Sequence, residues 1–147
     1  MFHVGEALRK FWTRQGVRLR PGASEEEMAA FEARYGVRLP SDLREYFAAA
    51  DGFDGSTDDE TITFLGLDEV KPLGEYWSPE VEGGNSYFVF ADFLISSHVY
   101  AVRLARDAGA GNPVAVVYDR ELVEAAGSFS EFVAGYLESS HAVLFPG

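Results

Sequence analysis

The sequence predicts an α+β fold: a mixed, mainly antiparallel sheet flanked by N-terminal helices and a C-terminal helix. Three observations carry this reading. Helical periodicity fills the first fifty residues and returns at Ser128. Between these regions, short apolar strands follow one another without intervening helices, which favours an antiparallel meander. Finally, 147 residues that are 47% hydrophobic, with 12 Phe, can build a real core, so one domain spanning 1–147 is expected.

The first helix is predicted over residues 5–14. Ala7 or Leu8, with Phe11 and Trp12, makes its apolar stripe, Glu6, Arg9, Lys10 and Arg14 its wet face, and Gly16 its end. A connector then leads to Ser24, a good N-cap. Glu27, three residues on, can return a hydrogen bond to the cap backbone, which makes a capping box. Met28, Phe31 and Tyr35 share one face of this second helix, and Gly36 stands where a left-handed residue would end it. Pro40 keeps Leu39 out of helical space and suits the first turn of a third helix. Leu43, Tyr46, Phe47 and Ala50 form that helix's apolar face, and Asp51-Gly52 is expected to close it.

Residues 51–60 read as a loop, and Thr61 to Leu65 alternates as a strand. Asp68 to Glu82 is a polar excursion, ended by a turn at Gly83-Gly84-Asn85. Tyr87 to Ala91 is apolar on both faces, as a strand covered on both sides would be. Val99–Leu104 and Val114–Tyr118 are the remaining strands, separated by a Gly-rich turn from Asp107 to Pro113. From Ser128, Phe129, Phe132, Val133, Tyr136 and Leu137 restore the helical period, with Glu131 as the capping-box partner.

Charge is distributed unevenly. The net charge is −12, and residues 51–92 hold eleven acids against Lys71 alone. Residues 1–44 are slightly basic. Nucleic-acid binding needs clustered cations and is disfavoured, whereas a basic protein partner is favoured. An acidic surface also keeps a protein soluble, and both readings stand. The candidate partner-binding residues are Asp54, Asp58, Asp59, Glu60, Glu75, Tyr76, Trp77, Glu80 and Glu82. Tyr76-Trp77 among acids has the character of a binding hot spot, unless Trp77 folds back onto the core.

There is no Cys, so disulfides, thiolate zinc sites and cysteine nucleophiles are excluded. His3, His98 and His141 lack metal-ligand spacing. An EF-hand register starting at Asp51 puts Phe53 and Gly55 at ligand positions, and one starting at Asp54 puts Leu65 where Glu is needed. No nucleophile elbow or Walker motif occurs, and Gly109-Ala110-Gly111 lies between strands, as a turn does. No catalytic residue, cofactor or metal is expected. The N-terminus has no signal-peptide h-region, since Glu6, Arg9 and Lys10 interrupt it, and no apolar run is long enough to span a membrane; a cytoplasmic protein is expected.

The run Ser24, Phe31, Glu32, Gly36, Val37, Leu39, Pro40, Leu43, Phe47 and Gly52 resembles the SUKH superfamily, which takes in fungal cell-wall regulators and many bacterial toxin-immunity proteins. Phe88 to Asp92 resembles its central strand, and the segment from Ser128 to Leu137 its terminal helix. Phe93-Leu94-Ile95 departs from the polar turn that many members have there. Ser24, Phe31, Gly36, Leu39, Pro40 and Gly52 would then be structural motif residues. The resemblance implies a non-catalytic binding protein that neutralises a basic, nuclease-type toxin domain in a stoichiometric complex. A regulatory scaffold without a toxin is the alternative it implies. A hydrolase using the acidic loops is a third reading.

Overall fold

The computed structural model describes residues 2–76, 81, 83–94, 97–107 and 111–146. In chain order it holds α1 (Val4–Gln15), α2 (Glu25–Tyr35), α3 (Ser41–Ala49), β1 (Ile62–Phe64), β2 (Lys71–Pro72), α4 (Leu73–Tyr76), β3 (Tyr87–Phe93), β4 (His98–Arg103), β5 (Val114–Tyr118), β6 (Glu121–Ala126), α5 (Phe129–Leu137) and α6 (His141–Leu144). The strands form one sheet in the order β1-β3-β4-β5-β6, and β2 also pairs with β3. Every pairing is antiparallel, so no mixed portion exists among the described strands. Ile62 pairs with Phe93 and Pro72 with Phe88, which sets β1 and β2 end to end along one edge of β3.

Side-chain alternation along these strands builds two buried faces. On one, Phe64, Phe90 and Tyr100 meet Phe129, Phe132 and Tyr136 of α5, with Trp12 and Tyr46 packed against the same cluster. Trp12, Tyr46, Phe64, Phe90 and Phe132 are all inaccessible to solvent. Phe31 and Tyr35 of α2 extend this layer over Phe88. On the opposite face Val89, Val99, Ala101, Ala115 and Val117 are equally buried. The two-sided apolar strands are therefore covered on both sides, as their composition requires.

The capping box at α2 forms as its spacing predicts. The Ser24 hydroxyl accepts from the Glu27 amide at 3.1 Å, and the Glu27 carboxylate accepts from the Ser24 amide at 2.9 Å. Gly36 is left-handed (φ 64°) and its amide returns to the Glu32 carbonyl. The Glu32 carboxylate accepts from the Leu39 amide at 2.7 Å, so it locks the corner between α2 and α3. A Cβ at Gly36 would meet only the tip of Arg106, at 3.6 Å, so conformational strain alone should govern substitution. Gly36→Val should lose about 1–2 kcal/mol in urea unfolding. An unchanged midpoint would overturn this account of the corner.

Several boundaries differ from the sequence reading. Pro40 is the N-cap of α3, not a residue of its first turn. The helix stops at Ala49, and Ala50 is already extended, because its side chain turns into the core before Asp51-Gly52 is reached. The polar excursion contains β2 and α4. β6 and α6 were not anticipated. β6 exposes Glu121 and Glu124, which hide its strand character, and α6 has only four residues. Only Asp107 and Gly111 to Pro113 of the Gly-rich turn are described, and Gly109-Ala110 and Ile95 lie outside the described residues.

His98 is buried where β4 meets the C-terminal segment. Its ring stacks on Phe93 at 4.6 Å, packs against Tyr118 and Phe145, and bonds the Tyr100 hydroxyl at 3.1 Å. Tyr100 in turn donates to the Leu144 carbonyl at 2.9 Å, tying α6 to the sheet. Burial lowers the His98 pKa below its ordinary value. As pH falls the unfolded chain is protonated first, so stability is full above about pH 6.5 and is lost below it, down to the folded-state pKa. The expected slope is up to about 1.4 kcal/mol per pH unit within that window. Urea midpoints at pH 7.5 and 5.5 should fall further apart for the wild type than for His98→Phe.

Candidate partner-binding surface

The loop before β1 is held from two sides. The connector after α1 runs antiparallel to it: Leu19 bridges Phe53, the Asp54 amide donates to the Arg18 carbonyl at 2.8 Å, and the Arg20 amide donates to the Gly52 carbonyl at 3.0 Å. The other anchor is Asp58. Its Oδ1 accepts from the amides of Glu60 and Ile62, both at 2.9 Å, and its Oδ2 accepts from the Tyr136 hydroxyl. That hydroxyl itself accepts from the Trp12 indole at 2.7 Å. A relay through α1, α5 and the loop is thus closed inside the protein.

This corrects the sequence assignment of Asp58. It is 5% exposed and all its oxygens are engaged, so it faces the core and not a partner. Burial raises its pKa, although the hydrogen bonds it accepts pull the other way. Burial beside that carboxylate pushes the Tyr136 hydroxyl far above the usual tyrosine range. The neighbouring acids remain outward. Asp54 and Asp59 are exposed, Gln15 holds the Asp59 amide at 3.0 Å, and the half-buried Glu60 accepts from the Ser139 hydroxyl at 3.3 Å.

A second group of acids gathers around Arg20. Asp51 is buried and accepts from the Leu67 amide at 2.7 Å. Arg20 reaches Asp68 at 2.9 Å, Glu69 at 3.3 Å and Asp51 at 3.9 Å. The hydrogen bond to Asp68 raises the Arg20 pKa, and burial raises that of Asp51. One guanidinium therefore answers three carboxylates.

Beyond them Glu75 lines an open cleft of about 400 Å³ between α2 and the segment 67–75, with Glu27, Phe31, Arg34, Tyr35 and Lys71. Tyr76 is half-buried and donates to Asp92 at 2.8 Å, so it is tied to the sheet instead of standing free. Thr63, Asp92 and Val99 share a cross-strand row that points away from α5. The Tyr76 contact and the Asp58 relay therefore lie on opposite faces of the sheet. Trp77, Glu80 and Glu82, expected in the partner surface, lie outside the described residues.

The acidic segment is thus not one patch. Asp51 and Asp58 are interior, Asp54, Asp59 and Glu60 edge the helical side, and Asp68, Glu69 and Glu75 collect near β2. Sequence reasoning could not separate these sets, because adjacent acids differ only in which tertiary donors reach them. It also missed Arg20, Trp12 and Tyr136, whose roles depend on partners 31 to 124 residues away. Of the motif residues, Phe31 and Leu39 are buried, and Ser24, Gly36 and Pro40 set helix ends. Among the described residues no group of three or more His, Asp or Glu could hold a metal ion, and no helix is long and apolar enough to cross a membrane.

No curated protein matches the chain. The family model described as SMI1 / KNR4 family (SUKH-1) matches residues 22–135, which run from just before α2 into α5 and include the capping box, the α2–α3 corner and the whole sheet. With this match across most of its length, the chain belongs to the SMI1/KNR4 (SUKH-1) family.

Proposed function

We propose that residues 1–147 form a single SUKH domain that acts in the cytoplasm as a non-catalytic immunity protein. It would bind a cognate toxin domain with a basic, nuclease-type cleft and occlude that cleft in a stoichiometric complex. Domains of this family generally bind protein partners, which supports the class of function. The observation that carries the reading is the outward set Asp54, Asp59 and Glu60 on a loop fixed by the buried relay. Negative charge on a pre-ordered loop complements a basic surface without an ordering penalty. The single-domain reading is supported by α1, which precedes the matched residues yet places Trp12 in the core.

The test is affinity capture of the tagged chain from its native cells. A basic toxin domain recovered in a one-to-one complex is the expected result. Substrate turnover by the purified protein, abolished by Asp59→Asn or Glu60→Gln, would overturn it. Charge steering makes a further prediction about rate. Asp54→Asn combined with Asp59→Asn should lower the association rate by about tenfold and leave dissociation nearly unchanged. Wild-type association should slow steeply between 0.1 M and 1 M salt, as the Debye length falls from about 10 Å to about 3 Å. Stopped-flow binding at the two salt concentrations reads both effects.

A further inference from the structure

We propose that Leu94 is an apolar anchor that this chain inserts into a hydrophobic pocket ringed by Lys or Arg on its protein partner. The proposal rests on the binding-protein reading above and names the contact that would fix the complex once formed.

Leu94 directly follows β3 and is 51% exposed. Among the described residues only one other large hydrophobic, Phe2 near the chain start, is comparably exposed. Leu94 is also left-handed, with φ 48°. That conformation suits Gly or Asn and costs a leucine, so the side chain is held outward at the expense of the backbone. Described residues on either side hold the Leu94 backbone. The Leu94 amide donates to the Thr61 carbonyl at 3.1 Å, the Ser97 amide donates to the Phe93 carbonyl at 2.8 Å, and the Ser97 hydroxyl donates to the Leu94 carbonyl at 3.1 Å. Thr61 is itself left-handed, with φ 61°. Beneath the turn, Phe93 is stacked on His98 and set edge-on to Phe145 at 5.3 Å. An apolar side chain whose own backbone is already hydrogen-bonded has less freedom to lose on binding.

The surroundings identify the occupant's chemistry. Leu94 is hydrogen-bonded to the residue that follows Asp59 and Glu60, and Ser139, next to Glu138, reaches Glu60. Residues 54–61, 92–98 and 137–141 contain no Lys or Arg. Arg18 bonds the Gly55 carbonyl at the far end of this loop. An apolar knob in an acidic collar fits an apolar pocket with a basic rim. The same collar opposes an anionic lipid surface, and it opposes a second copy of this chain.

The test has two readouts. A photo-cross-linking residue at position 94 of the full chain, activated in native cells, should capture one basic protein. Capture of lipid, of the chain itself, or of nothing overturns the proposal. With the captured protein as probe, Leu94→Gly should raise the dissociation rate about tenfold or more, leave association within about twofold, and keep or raise the melting temperature. Unchanged dissociation, or a lower melting temperature, would mean that Leu94 serves the fold. The two readings fail separately: a captured basic protein without toxin activity sinks only the immunity role, whereas a toxin bound equally well by Leu94→Gly sinks only the anchor.

Discussion

Gly52→Ala is expected to destabilise the protein by about 3 kcal/mol or more, combining left-handed strain with steric overlap. Gly52 has φ 86°, and a Cβ there would sit 2.7 Å from the Leu65 carbonyl carbon and 2.9 Å from the Gly66 Cα. Those neighbours are backbone and have no rotamer to yield. The segment cannot retreat either. The Gly52 carbonyl accepts from the Arg20 amide, the Phe53 amide donates to the Phe64 carbonyl, and Asp51 holds the Leu67 amide. Urea unfolding alongside Gly36→Ala supplies the control, since Gly36 shares the left-handed backbone but a Cβ there would meet only the Arg106 tip, at an ordinary 3.6 Å. A loss at Gly52 no larger than at Gly36 would show that the close approach of these two chains is not what the position demands.

Asp58→Ala should cost a similar amount, about 3 kcal/mol, because it strands three donors that each cost about 1–3 kcal/mol when buried without an acceptor. These are the Glu60 and Ile62 amides and the Tyr136 hydroxyl. Tyr136→Phe removes the acceptor of the Trp12 indole as well as a donor to Asp58, so the two changes should be far from additive. The pH dependence has a definite sign. The folded carboxyl, its pKa raised by burial, binds a proton more readily than the unfolded one. From about pH 3.8 up to the folded-state pKa the wild type therefore loses stability as pH rises, relative to Asp58→Ala. Denaturant titrations of the single and double variants check both points. A loss below about 0.5 kcal/mol, the size of an ordinary surface substitution, would mean the loop is not hung on this carboxylate.

The local grammar of the chain was legible because its causes are local. A capping box needs Ser24 and Glu27 at the right spacing, and a left-handed helix end needs Gly36; both requirements lie within a few residues. The apolar faces of α1, α3 and α5 were readable for the same reason, as was the two-sided burial of β3. The candidate surface was not so readable. Asp58 and Asp59 are adjacent and chemically identical, yet one is buried under α1 and α5 and the other faces water. What divides them is Tyr136, 78 residues away. Tyr76 looked like a free aromatic until the fold brought Asp92 within reach of its hydroxyl. Leu94 could be noticed in the sequence as a departure from a polar turn, but its exposure and its left-handed backbone exist only in the folded chain.

The sheet ends at β6, where no further described strand follows it. Such a margin is a template for aggregation, since the unpaired amides and carbonyls of a terminal strand recruit other strands into growing fibrils. The exposed Glu121 and Glu124 that disguised β6 in the sequence are its gatekeepers. The β6 strand of a second molecule laid against this one would bring the same acids with it, and opposed like charges make that union unfavourable. The residues that made the strand hard to find are those that keep it the last one.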